Sequence, residues 1–177
     1  MNNEGFGGRN SQDIRKGRDY MLPGWEDADQ KDTNEAYDHL KEELEEHGVT
    51  LDAGTKLLEI GSGKGLMLEK FKREGIDVVG VDARPGRDSA IDQVAARAER
   101  LPFADQIFDV VNSNFAFDAN AYNQDQNLML KEIARVLKEN GLFVNWGRSL
   151  EGNDPNLVLV SHPEKHWAQT FQKRSQQ

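Results

Sequence analysis

The apolar positions of this chain fall into short runs and helical stripes that alternate. Leu57-Leu58-Glu59-Ile60 is a brief apolar run carrying one acid and bounded by Gly61, the mark of a buried strand. After Gly65, Leu68 and Phe71 share one helical face with Lys70, Lys72 and Arg73 outside it, and Gly75 supplies a stop. Ile76 to Asp82 is a second apolar run that ends in an acid. Phe108-Asp109-Val110-Val111 has no charge after Asp109 and reads as a buried central strand that exits into Asn112-Ser113-Asn114-Phe115. Leu130, Ile133, Ala134 and Leu137 make a helical stripe, Asn140-Gly141 ends it, and Leu142 to Trp146 begins another strand. Strand, loop, helix and strand in this order are the unit of a parallel sheet, so the pattern predicts an α/β, three-layer α/β/α sandwich with a mostly parallel sheet.

The flanks are less regular. A helix is predicted from about Thr33 to His47, with Thr33 as its cap and Ala36, Tyr37, Leu40 and Leu44 on one stripe. The segment before it is rich in Asn, Gly and Asp and reads as a flexible N-terminal segment or lid over residues 1–30, leaving 31–177 as the domain. Between Asp82 and Arg97, Pro85 and Gly86 leave only a short apolar alternation from Ile91 to Val94, so a loop is expected where a crossover helix would stand. After Trp146 a polar turn leads to a strand at Leu157-Val158-Leu159-Val160, and His166-Trp167 to Phe171 reads as a last helix.

The glycines after Glu59 carry the chemistry. Glycine at alternate positions allows a tight turn off a strand and brings backbone N–H groups close to a ligand. A phosphate-binding P-loop needs Ser or Thr after Gly-Lys, and here Gly63-Lys64 is followed by Gly65. A dinucleotide fingerprint spaces its last glycine three residues after the second, and here the interval is two. What remains is acid-x-Gly-x-Gly-x-Gly.

That pattern, with Leu101-Pro102-Phe103 followed by Phe108-Asp109-Val110-Val111, resembles the class I S-adenosylmethionine-dependent methyltransferases, in particular the group of ubiquinone and menaquinone methylases. The resemblance implies a Rossmann-like fold, here shortened at its C-terminal end. It places Gly61, Ser62, Gly63 and Gly65 around the methionyl part of S-adenosyl-L-methionine, with Glu59 near the ammonium group. Asp82, with Ala83 beside it, would take the ribose hydroxyls, since a carboxylate offers a vicinal diol only acceptors. Ala98 and Glu99 would read the adenine, and Asn114 would stand near the reactive methyl. Relatives usually carry an aspartate where this chain has Arg97, which cannot accept a hydrogen bond from the adenine amino group. Tyr20, Trp25 and Tyr37 are candidate acceptor contacts in the segment that covers the pocket in the family. The implied reaction is direct in-line displacement of the methyl group onto a small-molecule acceptor. No catalytic residue is assigned, because His39, His47, His162 and His166 lie outside the recognised motifs. The alternative is a non-catalytic protein of the same fold, acting as a cofactor-binding or protein-partner module.

Composition narrows the partners. The chain has 177 residues and a net charge of −9, which argues against nucleic acid because phosphate backbones draw on basic surface. With no cysteine there are no disulfides and no thiolate zinc sites, and no metal is expected. No apolar run has the length of a membrane span, and a cytoplasmic protein is expected. Nothing in the sequence specifies the oligomeric state.

Overall fold

The computed structural model describes residues 30–85, 91–117, 124–161 and 168–175. Helix α1 (Gln30–Glu46) leads into strand β1 (Lys56–Ile60), helix α2 (Leu66–Arg73) and strand β2 (Asp77–Asp82). Strands β3 (Gln93–Ala95) and β4 (Phe108–Asn114), helix α3 (Gln126–Val136) and strand β5 (Leu137–Trp146) follow. Strands β6 (Leu157–Leu159) and β7 (Ala168–Lys173) complete one seven-stranded sheet in the order β3-β2-β1-β4-β5-β7-β6. Its first five strands pair in parallel, and β7 runs antiparallel between β5 and β6.

Successive residues of a strand face opposite sides of the sheet, so each adjacent apolar pair serves both faces. Leu57, Val110, Leu142 and Val144 pack with α1 and α2, while Leu58, Val111 and Phe143 pack with α3. Helix α2 ends as its glycine predicts: the Gly75 and Ile76 N–H groups return to the Lys72 and Phe71 carbonyls. Asp125 caps α3 by accepting from the Asn127 and Leu128 N–H groups at 3.0 and 3.1 Å. Asp109 ties three strands at their entry side. It accepts from the Lys56 N–H at 2.9 Å, and both its oxygens bond the Lys138 ammonium at 2.8 Å.

Several boundaries differ from expectation. Helix α1 begins at Gln30, so Thr33 is not its cap but lies within the first turn, where it is buried. Helix α3 ends at Val136; Leu137 already belongs to β5, and Asn140 (φ 63°) turns an irregularity in which Leu137 and Leu142 oppose Phe108 and Val110. Strand β4 runs on to Asn114, although its last three residues are polar. The C-terminal helix expected from His166-Trp167 to Phe171 is a strand over Ala168 to Phe171, its first two residues lying outside the described residues. Trp167 and Phe171 are four apart, which mimics a helical stripe, but β7 is flanked by strands on both sides and buried on both faces, so it lacks the alternation that marks a strand. Phe171 instead stacks on Phe143, with ring centroids 5.6 Å apart.

The described residues thus form a seven-stranded sheet, and the expected shortening falls on the connection after β5, since residues 147–156 contain no helix. That connection is held by side chains. The Gln126 carbonyl oxygen accepts from the Glu151 and Gly152 N–H groups at 2.9 Å, and the Gln169 amide bonds both the N–H and the carbonyl of Leu150. Between β2 and β3, residues 83–85 and 91–92 are likewise non-helical.

Phe143 is fully buried at the junction of β5, β7 and α3. Phe143→Ala should cost about 3–5 kcal/mol of unfolding free energy in urea titrations. A loss below about 1 kcal/mol would show that β7 does not pack as a strand against β5.

Candidate functional site

Strand β1 sits between β2 and β4, and the chain leaves it towards β2 on one side and later returns through β4 to β5 on the other. A crevice opens where the connections diverge, beyond the carboxyl ends of the strands. A cavity of about 240 Å³ occupies it, and its walls come from the loop after β1, the ends of β2 and β4, the segment Ala96 to Glu99, and the first turns of α1 and α2.

The loop after β1 is fixed by hydrogen bonds to β2. The Gly61 and Ser62 N–H groups donate to the Val81 carbonyl at 2.7 and 3.1 Å, and Gln93 donates from its amide to Ser62 Oγ and to the Gly63 carbonyl. A Cβ on Gly61 would stand 2.2 Å from the Ala116 methyl, so only glycine lets this loop pass the connection after β4. Gly63 has φ 51°, and a Cβ built on it meets nothing within 4 Å. Its backbone is therefore exposed to the cavity in a conformation that side chains disfavour.

Two carboxylates stand here in different surroundings. Asp82, at the tip of β2, accepts from the Gly63 N–H at 3.0 Å and the Arg84 N–H at 2.7 Å, leaving lone pairs on both oxygens. Glu59 is only 5% exposed, and its Oε2 has no partner among the described residues. Burial, with the Asp82 charge adding to it, pushes the Glu59 carboxyl up to about 8. On the far wall Arg97 grips Glu99 through two hydrogen bonds of 2.6 and 3.2 Å. Burial opposes ionisation of Glu99, but the hydrogen bonds from Arg97 and from backbone N–H groups outweigh it and hold the carboxyl below its usual range.

The cavity brings together Glu59, Gly61, Ser62, Gly63, Asp82, Ala83, Ala98, Glu99 and Asn114. Gly65 does not line it; with φ 75° it is the N-cap of α2. Tyr37 does not line it either. Its ring lies against Phe71 (centroids 4.6 Å apart) with the Lys70 ammonium over it, and its hydroxyl bonds Glu74, so it joins α1 to α2 rather than facing a ligand. Tyr20 and Trp25 lie outside the described residues. His39 stacks on Trp146 and His47 bonds Glu43, and neither lines the cavity; His162 and His166 lie outside the described residues.

Sequence reasoning missed the supports. Arg135 of α3 donates to the Leu101 and Phe103 carbonyls at 2.9 and 2.7 Å, and Glu132 accepts from the Leu101 N–H at 2.8 Å. The two also pair with each other, so one turn of α3 clamps the Leu101-Pro102-Phe103 turn beside Ala98 and Glu99. The signal was an oppositely charged pair three residues apart flanking an apolar stripe. Phe115 and Phe117, on the wall after β4, gave only their position beyond a strand end.

A family model described as "Methyltransferase domain" matches residues 58–145. A ubiquinone biosynthesis O-methyltransferase from Azorhizobium caulinodans is 33% identical over 102 residues, 51% of this chain and 39% of that protein. A demethylmenaquinone methyltransferase from Renibacterium salmoninarum is 34% identical over 98 residues, 51% of this chain and 40% of that protein. The chain thus spans about two fifths of the length of these relatives. Among solved structures, PH0226 protein from Pyrococcus horikoshii matches with a TM-score of 0.54 at 24% identity, covering 73% of this chain and 60% of that one. A putative sarcosine dimethylglycine methyltransferase from Galdieria sulphuraria matches with a TM-score of 0.55 at 23% identity, covering 63% and 46%. At this identity these two show the fold. The residues present fit S-adenosylmethionine, the cofactor of such domains: an unpartnered buried acid suits its ammonium group, a carboxylate with spare lone pairs suits its ribose diol, and an open glycine backbone suits close contact. Through residues 58–145 the chain matches the methyltransferase domain family, class I and S-adenosylmethionine-dependent, and it is related in sequence to quinone methylases.

Proposed function

We propose that this protein transfers the methyl group of S-adenosylmethionine to a small-molecule acceptor. The observation that carries the reading is the convergence of Glu59, Asp82 and the open Gly63 backbone on one cavity. Glu59 would meet the ammonium group, the Asp82 oxygens would accept from the ribose hydroxyls, and Ala98 and Glu99 would line the adenine side. Because Arg97 is turned onto Glu99, it takes part in that wall as half of an ion pair. Asn114 and Phe115, at the end of β4, would border the methyl position.

When bound, the cofactor supplies a methyl carbon on a positive sulfur, so the acceptor's lone pair forms the new bond as the carbon–sulfur bond breaks and its electrons go to sulfur. The protein's contribution is positioning and exclusion of water. Thr33 and Ala36 of α1 line the same cavity as Phe115, Phe117 and Gln124, and the apolar surface they add supports a small, weakly polar acceptor. No histidine among the described residues lines the cavity, so an acceptor that ionises readily, or that releases its proton to solvent, suits the site best.

Calorimetric titration with S-adenosylmethionine and S-adenosylhomocysteine, with NADH as a control, tests the reading. Binding of the first two and not the third is expected. Gly63→Arg fills the open side of the loop and should abolish binding. Asp82→Ala should weaken it about tenfold or more, through loss of hydrogen bonds to a charged group. Unchanged affinity in both variants, with circular dichroism showing an intact fold, would overturn the site.

Glu59 also gives the ligand-free protein a pH dependence. Its carboxyl ionises near 4.5 in the unfolded chain and at about 8 when folded, so between these values the folded state keeps a proton that the unfolded state has lost. Its contribution to stability is complete below 4.5 and is lost as pH rises through 8. Melting temperature should therefore fall across that window, and Glu59→Gln should flatten the fall. A variant that melts with the same pH profile as the wild type would contradict a buried, protonated Glu59.

A further inference from the structure

Asn112 is a buried amide in the middle of a parallel sheet, 1% exposed, and neither its Nδ2 nor its Oδ1 has a hydrogen-bond partner among the described residues. Leaving such a group unpaired costs about 1–3 kcal/mol, and an apolar residue would fill the position without that loss. Register explains what the amide is near. Asn112 of β4 is the direct partner of Glu59 of β1. Both follow residues that face α3, Val111 and Leu58, so both face the layer under α1 and α2. Glu59 Oε2 is itself buried and unpartnered. Two unsatisfied groups therefore stand one strand spacing apart, about 4.8 Å, on the same face, within reach of each other by side-chain rotation.

We infer that Asn112 is a positioning residue that holds the Glu59 carboxyl against the cavity for a cationic ligand group. The inference rests on the cofactor reading above. An amide suits the task in both protonation states, because its NH₂ donates to an ionised carboxylate and its carbonyl accepts from a protonated one. With one oxygen held by Asn112, the other is left for the ammonium group. The ionisable neighbours around the cavity are Asp82 at the end of β2, Lys64 in the loop after β1, Arg84 after β2, and the Arg97–Glu99 pair. Helix α1, which covers this layer, adds the Glu43–His47 pair and His39, stacked on Trp146. Asn112 is the neutral group set beside Glu59 in the strand register.

Val and Thr have nearly the same shape and differ by a hydroxyl, so Asn112→Val and Asn112→Thr separate hydrogen bonding from packing. S-adenosylhomocysteine is titrated into the wild type and both variants at several pH values, with thermal melts to confirm folding. Asn112→Val should bind about tenfold more weakly near neutral pH, with the rise of affinity displaced to higher pH, and Asn112→Thr should recover most of the loss. In a Glu59→Gln background, Asn112→Val should add little. Equal binding by the Val and Thr variants, or an undiminished loss in the Glu59→Gln background, would overturn the inference while leaving the functional reading intact. A folded wild type that binds no S-adenosylhomocysteine would overturn both.

Discussion

Strands β1 and β4 are buried on both faces, and this constraint decides where everything else can stand. Leu57, Leu58, Val110 and Val111 are each wholly inaccessible, so the pair must be covered by α1 and α2 on one side and α3 on the other. Helices on both faces require the chain to depart from β1 one way and to arrive at β4 from the other, and the carboxyl ends of the two strands are left open between diverging connections. The cavity is thus a consequence of the packing that stabilises the core. Two of its polar residues, Glu59 and Asn114, come from the ends of the same strands whose earlier residues make that core.

Around this crevice the motif residues divide by task. Gly61, Gly63 and Asp82 set the loop and its acceptors. Asp109 of the Phe-Asp-Val-Val block works at the opposite end of the sheet, where it fastens β1 and β5 to β4 through Lys56 and Lys138. The Leu-Pro-Phe block is held from behind: Arg135 and Glu132 supply the hydrogen bonds that a turn without a helix of its own lacks. Because α3 bears the clamp, packing of its apolar stripe into the core also fixes the wall that carries Ala98 and Glu99. Core packing and the geometry of that wall are coupled through one helical turn.

The central half of the fold was legible because period and punctuation agreed there. Leu57 to Ile60, Leu68 with Phe71, and Ile76 to Asp82 each have a single reading, and the glycines between them take positive φ. Legibility failed where burial and polarity part company. Asn112, Ser113 and Asn114 look like loop residues, yet Asn112 and Ser113 are as buried as the valines before them, since the strand continues into the floor of the cavity. Gln169 and Thr170 looked helical or exposed, yet both are buried in β7, one tied to Leu150 and the other to Glu43. Each of these misread residues has its environment set by a segment far away in sequence, and no local period reports such a partner. The candidate site was more legible than its supports for the same reason: the cavity-lining residues sit in short motifs at strand ends, each readable locally, while Glu132 and Arg135 act some thirty residues from what they hold.

The electrostatics of the crevice follow from the same burial. Burial, with the Asp82 charge adding to it, opposes ionisation of Glu59, while Asp82 accepts from the Gly63 and Arg84 backbone N–H groups. Glu59 therefore favours its protonated form in the empty crevice, and a cation arriving with a ligand would favour its charge. A purely anionic ligand would meet a carboxylate at each end of the loop, and a neutral one would leave Glu59 protonated. Under the proposed cofactor reading, a ligand with a cationic group at the β1 end and a vicinal diol at the β2 end would satisfy both acids together, and that preference would come from the spacing of two strand tips rather than from any single strong contact.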